Sequence, residues 1–393
     1  MNQKRYITAD KILPVKGNPM EGKVLVFEGE VLSDIVEANM IEPGKVEAYN
    51  GILVPGFVNA HCHLELSHMK GKINTGTGLL HFLQSVISMR EFPEEVILDA
   101  IVKADEEMHE GGIMAVGDIC NAIHTATVKA NSNISYYSFV EMFDFLDPVK
   151  TEQFYNNFYP AYESVPGLGK HRKSIVPHAP YTVSEHLHRR IYESNTSEAI
   201  WSIHMQENIE EDRLFLGQES GYRKFFSELG APITHFQPTG TSSLASYLSF
   251  SPLPQKMLFV HNTQSRESDF KAIKASAING YLVTCPNANL FIENQLPRYE
   301  LWKESGLPIC IGTDSYSSNW RLSIWSEILT ILKYNSFLSF DEVLEWATIN
   351  GAEALGLDSE LGSFEIGKRP GCVLLKSIGG DVDTRANDVV KIV

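Results

Sequence analysis

The chain has 393 residues, of which 43% are hydrophobic and 21% are charged, and these values exclude disordered and low-complexity proteins. Asp and Glu outnumber Lys and Arg by 49 to 33, and the net charge of −16 argues against nucleic-acid partners and anionic membrane surfaces. The first residues hold no apolar signal-peptide core, and no apolar run approaches the roughly 20 residues of a membrane helix. We therefore expect a folded cytoplasmic protein.

Five cysteines are scattered along the chain without CxxC spacing. This pattern indicates neither a disulfide framework nor a thiolate zinc site, so we expect buried free thiols. They are Cys62, Cys120, Cys285, Cys310 and Cys372.

The first 55 residues contain short strand-like runs that glycines and acidic turns separate. These runs are Lys23–Phe27, Val31–Ile35 and Lys45–Tyr49. The tail segment Ser363–Ser377 has the same strand–turn–strand character. Because a short tail strand is not stable alone, we expect residues 1–55 and 358–393 to form one small composite β domain of sandwich type.

Between these ends, eight runs of β-branched or aromatic residues alternate with helix-like stretches. This alternation predicts an α/β fold, specifically a (β/α)8 TIM barrel over residues 56–357. The runs are Gly56–His63, Met114–Asp118, Ile134–Glu141, Ser174–His178, Ile200–His204, Met257–His261, Tyr281–Cys285 and Pro308–Asp314. The clearest helices are Glu95–Glu110, a helix that Ser184 caps, Trp325–Leu332 and Phe340–Leu355.

Most of the eight runs end in His, Asp or Glu, at the end of the barrel where active sites lie. His61 and His63 occupy positions i and i+2 of the first strand, so both side chains point to one face and can reach one metal ion. Alone, this pair also fits hydrogen-bonded interior histidines. His204 and Asp314 end the fifth and eighth strands, and together the four residues suit Zn²⁺ or Fe²⁺.

Three further residues are candidates for chemistry at the same end of the barrel. Glu207 follows His204 by three residues and can shuttle a proton, although a solvated loop acid is the alternative. His261 ends the sixth strand and is either a group that orients or deprotonates water or a packed core histidine. His178 lies between two prolines after the fourth strand and is expected to contact substrate.

Several motifs resemble the amidohydrolase superfamily, and specifically its aminohydrolase branch of triazine hydrolases, guanine deaminase and adenosine-type deaminases. The similar segments are PGFVNAHCHLELS, VPHAPYTVS, HMQE, FVHN, CPNAN and IGTDSYSSN, in chain order along the barrel strands. The resemblance extends from about residue 8 to residue 375. It implies a TIM barrel with a composite β domain and hydrolytic chemistry at one metal centre.

Carried over by position, the resemblance implies that one divalent ion, Zn²⁺ with Fe²⁺ as the alternative, binds His61, His63, His204 and Asp314. Asp314 also belongs to the catalytic group, with Glu207 as proton shuttle and His261 activating water. His178 would face the substrate. Binuclear members carry a carboxylated lysine on the fourth strand. Here Lys173 lies at the opposite end of that strand, which favours a mononuclear site.

Two departures from the family pattern concern the segment 208–256 and the tail. The segment is longer than usual and is predicted to cover the site as a lid. In the tail, KRPGC replaces an Asp-containing motif, which affects the β domain and leaves the chemistry untouched.

One segment after the first strand bears on the substrate. HLELS followed by Phe82–Arg90 resembles the first loop of aminodeoxyfutalosine deaminases, so Arg90 either pairs with a substrate carboxylate or compensates a helix dipole. Glu141, Phe143 and Phe291 are expected in the pocket wall, with Glu141 as a substrate contact.

The resulting hypothesis is a metal-dependent deaminase of an amino-substituted nitrogen heterocycle, such as aminodeoxyfutalosine. Its partner is a small molecule, and analogy with relatives implies a homodimer. The alternatives are a hydrolase of a cyclic amide or a C–Cl bond on the same site, and a non-catalytic binding protein on the same fold.

Overall fold

The computed structural model describes residues 4–378, 381–386 and 388–393. The strands are β1 Lys4–Ile12, β2 Lys23–Glu28, β3 Val31–Glu37, β4 Val46–Val54, β5 Phe57–Cys62, β6 Ile113–Cys120, β7 Ser135–Met142, β8 Arg172–Pro177, β9 Ile200–Met205, β10 Lys256–His261, β11 Asn279–Thr284, β12 Ile309–Ile311, β13 Val373–Leu375, β14 Ser377–Ile378, β15 Asp381–Val382 and β16 Val390–Lys391. The α-helices are α1 Leu79–Met89, α2 Glu94–Glu110, α3 Ala126–Asn131, α4 Thr151–Ser164, α5 Glu185–Ser194, α6 Ile209–Phe215, α7 Gly221–Glu228, α8 Ser243–Leu248, α9 Glu267–Ala275, α10 Pro286–Glu293, α11 Tyr299–Ser305, α12 Ile324–Tyr334, α13 Phe340–Ala347 and α14 Ile349–Ala354.

The eight strands β5–β12 form the barrel that the sequence predicts. They pair in parallel as two sheets, in the orders β5-β6-β7-β8 and β9-β10-β11-β12. One seam between the sheets is bridged by the His204 amide, which donates to the His178 carbonyl at 3.0 Å. At the other seam the Asp314 amide donates to the His61 carbonyl at 3.0 Å. Both seams therefore place candidate site residues next to each other.

The close approach at the second seam depends on a glycine. A Cβ atom added to Gly312 would lie 2.7 Å from the Cβ of His61, closer than real Cβ contacts. Asn59 reinforces the seam, because its side chain donates to the Thr313 hydroxyl at 2.7 Å and accepts from the Thr313 amide at 3.0 Å. The first strand is thereby fixed against the last.

The strands are continuous apolar runs because helices cover their outer face and side chains fill the barrel. In β10, for example, every residue after Lys256 is buried. The predicted helix Glu95–Glu110 corresponds to α2, and the Ser184 hydroxyl caps α5 by accepting from the Leu187 amide. The predicted helix 340–355 is two helices, since the backbone of Thr348, at φ −131° and ψ −92°, separates α13 from α14.

Strands from both ends of the chain form one six-stranded sheet in the order β16-β13-β4-β1-β2-β3. β13 pairs antiparallel with β4, joining Leu374 to Leu53. β1 is a strand that was not predicted from the sequence, and residues 363–372 of the predicted tail contain no strand. The domain boundaries at residues 55 and 357 stay predictions.

Among the described residues, no helix has both the length and the apolar composition needed to cross a membrane. The five cysteines are free and buried, as expected.

Candidate active site

A cavity of about 420 Å³ lies at the carboxyl ends of the barrel strands. Three groups of residues line most of it, and we name them by their place. The floor consists of His63, His204, Glu207, His261 and Asp314, with the buried His61 beside them. The polar wall consists of Glu65, Arg90, Asn121 and Glu141. The roof consists of Leu79, Phe82, Leu83, Val86 and Ile87 on α1, and of Phe225, Phe226 and Leu229 on and just after α7.

The floor brings together the four predicted metal ligands. Nitrogen atoms of His61, His63 and His204 lie within 4.8 Å of one another, and Nε2 of His63 is 3.1 Å from Nε2 of His204. Oδ1 of Asp314 lies 3.5 Å from Nε2 of His63 and 3.8 Å from Nε2 of His61. Three imidazoles and one carboxylate therefore converge on one point.

The hydrogen bonding of these ligands fits a divalent cation. Both ring nitrogens of the fully buried His61 lack a partner among the described residues, and an ion at the shared centre would satisfy one of them. His204 donates from Nδ1 to the His178 carbonyl at 2.9 Å, so its Nε2 points to the shared centre. Burial lowers the pKa of His63 to about 3 and that of His204 to about 4, which keeps both rings in the neutral, ligating form.

Interactions around the ligands fix their directions. The Ser318 hydroxyl donates to Oδ2 of Asp314 at 2.7 Å and leaves Oδ1 facing the histidines. Burial raises the pKa of Asp314, and the hydrogen bond from Ser318 opposes that shift. Asp314 also has a left-handed backbone, with φ of 56°, a strained conformation typical of functional positions.

Asp118 does not line the cavity, although its strand end was expected to contribute to the site. It forms a fully buried ion pair with Lys129 at 2.6 Å, between the barrel and its helices. Its other oxygen accepts from the Leu64 amide at 2.7 Å, directly after His63. Asp118 thus anchors the segment that carries the first two histidines.

Glu207 and His261 lie side by side on the floor. Oε2 of Glu207 is 3.7 Å from Nε2 of His261, and the Thr263 hydroxyl holds the Glu207 carbonyl at 2.7 Å. Burial, reinforced by the charge of Asp314, raises the pKa of Glu207 well above its usual value. Asn289 places its side-chain amide 3.1 Å from Nδ1 of His261, which directs Nε2 towards Glu207.

Glu141, on β7, and His178, directly after β8, border the floor. Nδ1 of His178 is 2.8 Å from the Thr182 hydroxyl, so Nε2 is the nitrogen available to a bound molecule. Burial lowers the pKa of His178 to about 4. Burial also raises the pKa of Glu141 to about 7. Atoms of Glu141, His178 and His204 lie within 4.8 Å of one another.

Arg90 ends α1 at the rim of the cavity, with 38% of its side chain exposed. Its Nη2 lies 3.4 Å from Oε1 of Glu65 and 3.4 Å from Oδ1 of Asn121. Glu65 in turn accepts from the backbone amides of Asn121 and Ala122 at 3.0 Å each. The guanidinium is thus oriented by a buried acid and still reaches the opening.

The segment 208–256 covers the cavity through α7, whose two phenylalanines lie in the roof. α7 contacts α1 at Gly221, where an added Cβ would lie 2.5 Å from Leu80 Cδ1. Movement of this segment as a lid stays a prediction. Phe143 lines the cavity as expected, but Phe291 does not, because it packs behind α1 among residues such as Phe82.

Asn121, Ser318 and Asn289 were not predicted as site residues, and neither were Phe225 and Phe226 of the roof. A polar residue directly after the second strand was a usable signal for Asn121, and the last position of CPNAN was one for Asn289. The roof gave no local signal. Lys173 lies at the other end of β8, where it donates to the Tyr162 carbonyl at 2.7 Å.

The sequence profile of the amidohydrolase family matches residues 52–392. An adenosine deaminase from Helicobacter pylori is 27% identical over 326 residues, which cover 81% of this chain and 78% of that protein. The crystal structure of Helicobacter pylori aminofutalosine deaminase in complex with methylthio-coformycin is similar, with a TM-score of 0.81 and 22% identity, over 99% of this chain and 100% of that chain. An adenosine deaminase from Xanthomonas campestris with bound zinc gives a TM-score of 0.74 at 20% identity, over 94% of this chain and 84% of that chain. These structures share the fold, and because the profile spans most of the sequence, the chain belongs to the amidohydrolase family.

Proposed function

We propose that this family member is a metal-dependent hydrolytic deaminase of 6-aminopurine nucleosides. The observation that carries the proposal is the convergence of three histidines and Asp314 on one point, with Glu207 and His261 beside it on the floor of a cavity. The cavity volume of about 420 Å³ suits a molecule of nucleoside size.

We propose His61, His63, His204 and Asp314 as the ligands of one divalent ion, Zn²⁺ with Fe²⁺ as the alternative. An ion held there supplies the Lewis acidity that makes water a nucleophile near neutral pH. The lack of a lysine at the carboxyl end of β8 supports a single ion.

Glu207 is the proposed proton shuttle. Burial raises the pKa of Glu207, which makes its carboxylate a stronger base than a solvated one and suits it to take up a proton and pass it on. In deamination it accepts a proton from the attacking water and delivers it to the ring nitrogen next to the reacting carbon. The second proton of the water leaves with the amino group as ammonia. His261, 3.7 Å away, orients the water and donates to it from Nε2.

His178 and Arg90 are proposed as substrate contacts. His178 presents Nε2 to the heterocycle, and Arg90 receives a carboxylate at the rim when the substrate carries one, as a guanidinium matches two oxygens. The names of the relatives, adenosine deaminase and aminofutalosine deaminase, support an adenine nucleoside. The apolar roof supports a substituent of low polarity on the sugar.

The test is ammonia release by the Zn²⁺- or Fe²⁺-loaded protein, measured across adenine, guanine, cytosine, adenosine, methylthioadenosine and aminodeoxyfutalosine. Release from a 6-aminopurine nucleoside is the expected result. If no compound of the panel releases ammonia although one ion is bound per chain, hydrolysis of an amide or a C–Cl bond is favoured instead. If no ammonia is released and no metal ion binds, the hypothesis of a non-catalytic binding protein is favoured. The homodimer and the cytoplasmic location stay predictions.

A further inference from the structure

We propose that Glu141, oriented by Asn121, accepts a hydrogen bond from a sugar hydroxyl of the substrate and so determines which nucleosides are deaminated. This inference rests on the proposed function and deepens it. It assigns hydroxyl recognition to the polar wall, whereas the floor carries the chemistry.

The first observation is an unsatisfied acceptor. Glu141 lies near the end of β7, is only 7% exposed and lines the cavity. Its Oε1 accepts from Nδ2 of Asn121 at 2.9 Å, whereas its Oε2 is buried with no partner among the described residues. A buried carboxylate oxygen without a donor is unfavourable, so a bound molecule that brings a donor gains affinity here.

The orientation of Asn121 is fixed independently of Glu141. Its backbone amide donates to Glu65, and its Oδ1 faces Nη2 of Arg90 at 3.4 Å. The side-chain amide nitrogen is therefore the atom that faces Glu141. One oxygen of Glu141 is held in place by this contact, and the other is left for the ligand.

A second metal ion does not explain this oxygen. Glu141, His178 and His204 are close enough to share an ion, but the ring of His204 has no free nitrogen for one. Its Nδ1 donates to the His178 carbonyl, and its Nε2 faces His63 at the first centre. Two remaining ligands are too few for a dedicated protein site.

The charges of the polar wall determine which substrate group can donate a hydrogen bond to Oε2 of Glu141. Arg90 pairs with Glu65, and among the described residues no cation forms an ion pair with Glu141. A substrate carboxylate at this point would be repelled and fits only the exposed side of Arg90 at the rim. A hydroxyl suits Oε2 whether Glu141 is ionised or protonated, because a hydroxyl both donates and accepts.

The experiment measures kcat and KM of the metal-loaded enzyme for adenosine, 2′-deoxyadenosine, 3′-deoxyadenosine and adenine. The wild type is expected to lose roughly 10- to 100-fold in kcat/KM when the recognised hydroxyl is missing. In Glu141→Leu this preference should shrink to within about threefold, because the value for adenosine falls and the value for the deoxy analogue hardly changes. Asn121→Ala should give the same trend more weakly.

Glu106→Leu is the matched control, because Glu106 is an exposed acid on α2 and away from the cavity. In this variant the ratio of kcat/KM for adenosine to kcat/KM for the deoxy analogue should equal that of the wild type. Metal content and thermal unfolding are measured for each variant. If Glu141→Leu does not fold, the substrate preference of Asn121→Ala tests the inference in its place.

Equal kcat/KM for adenosine and both deoxy analogues in the wild type would overturn the inference and leave the deaminase proposal intact. An equal loss for all substrates in both variants would assign Glu141 a structural role and would also overturn it. No ammonia from any purine nucleoside would overturn the deaminase proposal, and the inference with it.

Discussion

The floor and the roof of the cavity are held in different ways. Floor residues lie at the ends of hydrogen-bonded strands, and most have a second contact, such as Ser318 on Asp314 or the His178 carbonyl on His204. Roof residues lie on α1 and α7, which are far apart in the sequence and meet where Leu80 covers Gly221. The contacts of the roof are apolar and carry no direction.

This difference indicates which part of the site tolerates amino-acid substitutions. A shift of the floor by a fraction of an ångström disturbs metal ligation and proton transfer, because both depend on distance and direction. Apolar packing in the roof depends mainly on buried area, so its residues can be exchanged with graded effects on substrate choice. The following variants test this contrast, beginning with the strongest expected effect.

Glu207→Gln should lower kcat by roughly 10²- to 10⁴-fold and leave metal content unchanged, since the amide cannot carry the proton. Steady-state kinetics and metal analysis measure both quantities. Glu219→Gln, at an exposed acid of the same segment, is the control and should resemble the wild type. A rate close to that of the wild type in Glu207→Gln would remove Glu207 from proton transfer.

His63→Ala should weaken metal binding by more than about 10- to 100-fold, the range found for changes next to ligands, because it removes a ligand itself. Metal per chain is measured after dialysis against a competing chelator. His81→Ala, an exposed histidine on α1, should retain the full amount. Full metal occupancy in His63→Ala would show that the ligand assignment is wrong.

Ile87→Ser should raise KM for nucleosides with an apolar sugar substituent by about fivefold, with kcat within about twofold, because roughly 1 kcal/mol of apolar contact is lost in the roof. Ile87 is 47% exposed and lines the cavity, so the cost to folding is small. Met89→Ser is matched to it, since Met89 is 39% exposed on the same helix but does not line the cavity. Identical KM values in both variants would exclude the roof from substrate binding.

Glu211→Gln tests the packing of α6, the helix that follows Glu207 in the chain, through the pH dependence of the protein's stability. Burial raises the pKa of Glu211 in the folded chain to about 8, from an ordinary value of 4.5. The folded chain therefore keeps a proton that the unfolded chain releases, and this contribution to stability is complete below about pH 4.5 and is lost as the pH rises through 8.

The variant carries no such proton, so its Tm relative to the wild type should rise by a few degrees between pH 5 and pH 9. Thermal unfolding of both proteins at the two pH values gives the difference. Glu219→Gln should show no such trend. A constant difference would mean that Glu211 titrates normally.

The sequence predicts the floor better than the rest of the site, for a physical reason. His61 and His63 follow the two-residue period of a strand, and the barrel pattern places His204, His261 and Asp314 at the same end. The family resemblance assigned their roles. All eight barrel strands were recognised because each is a short buried run between turn signals.

The polar wall and the roof depend on contacts that no local pattern encodes. Asp118 has the residue type and position of a site residue, yet Lys129 draws its carboxylate behind the barrel. Asn121 acts through a backbone amide and two side chains from other segments. Phe225 reaches the cavity because α7 folds over α1, an arrangement set by tertiary packing.

The pairing of β4 with β13 has a consequence for synthesis on the ribosome. β4 is synthesised before the barrel strands, whereas its partner β13 is synthesised after all of them. The edge of β4 that contains Leu53 therefore stays unpaired during that time. Until then the nascent chain exposes an unpaired strand edge, to which a chaperone or another chain can bind. β13 covers this edge, so a chain that stops near residue 370 would keep the edge exposed and would be prone to aggregate.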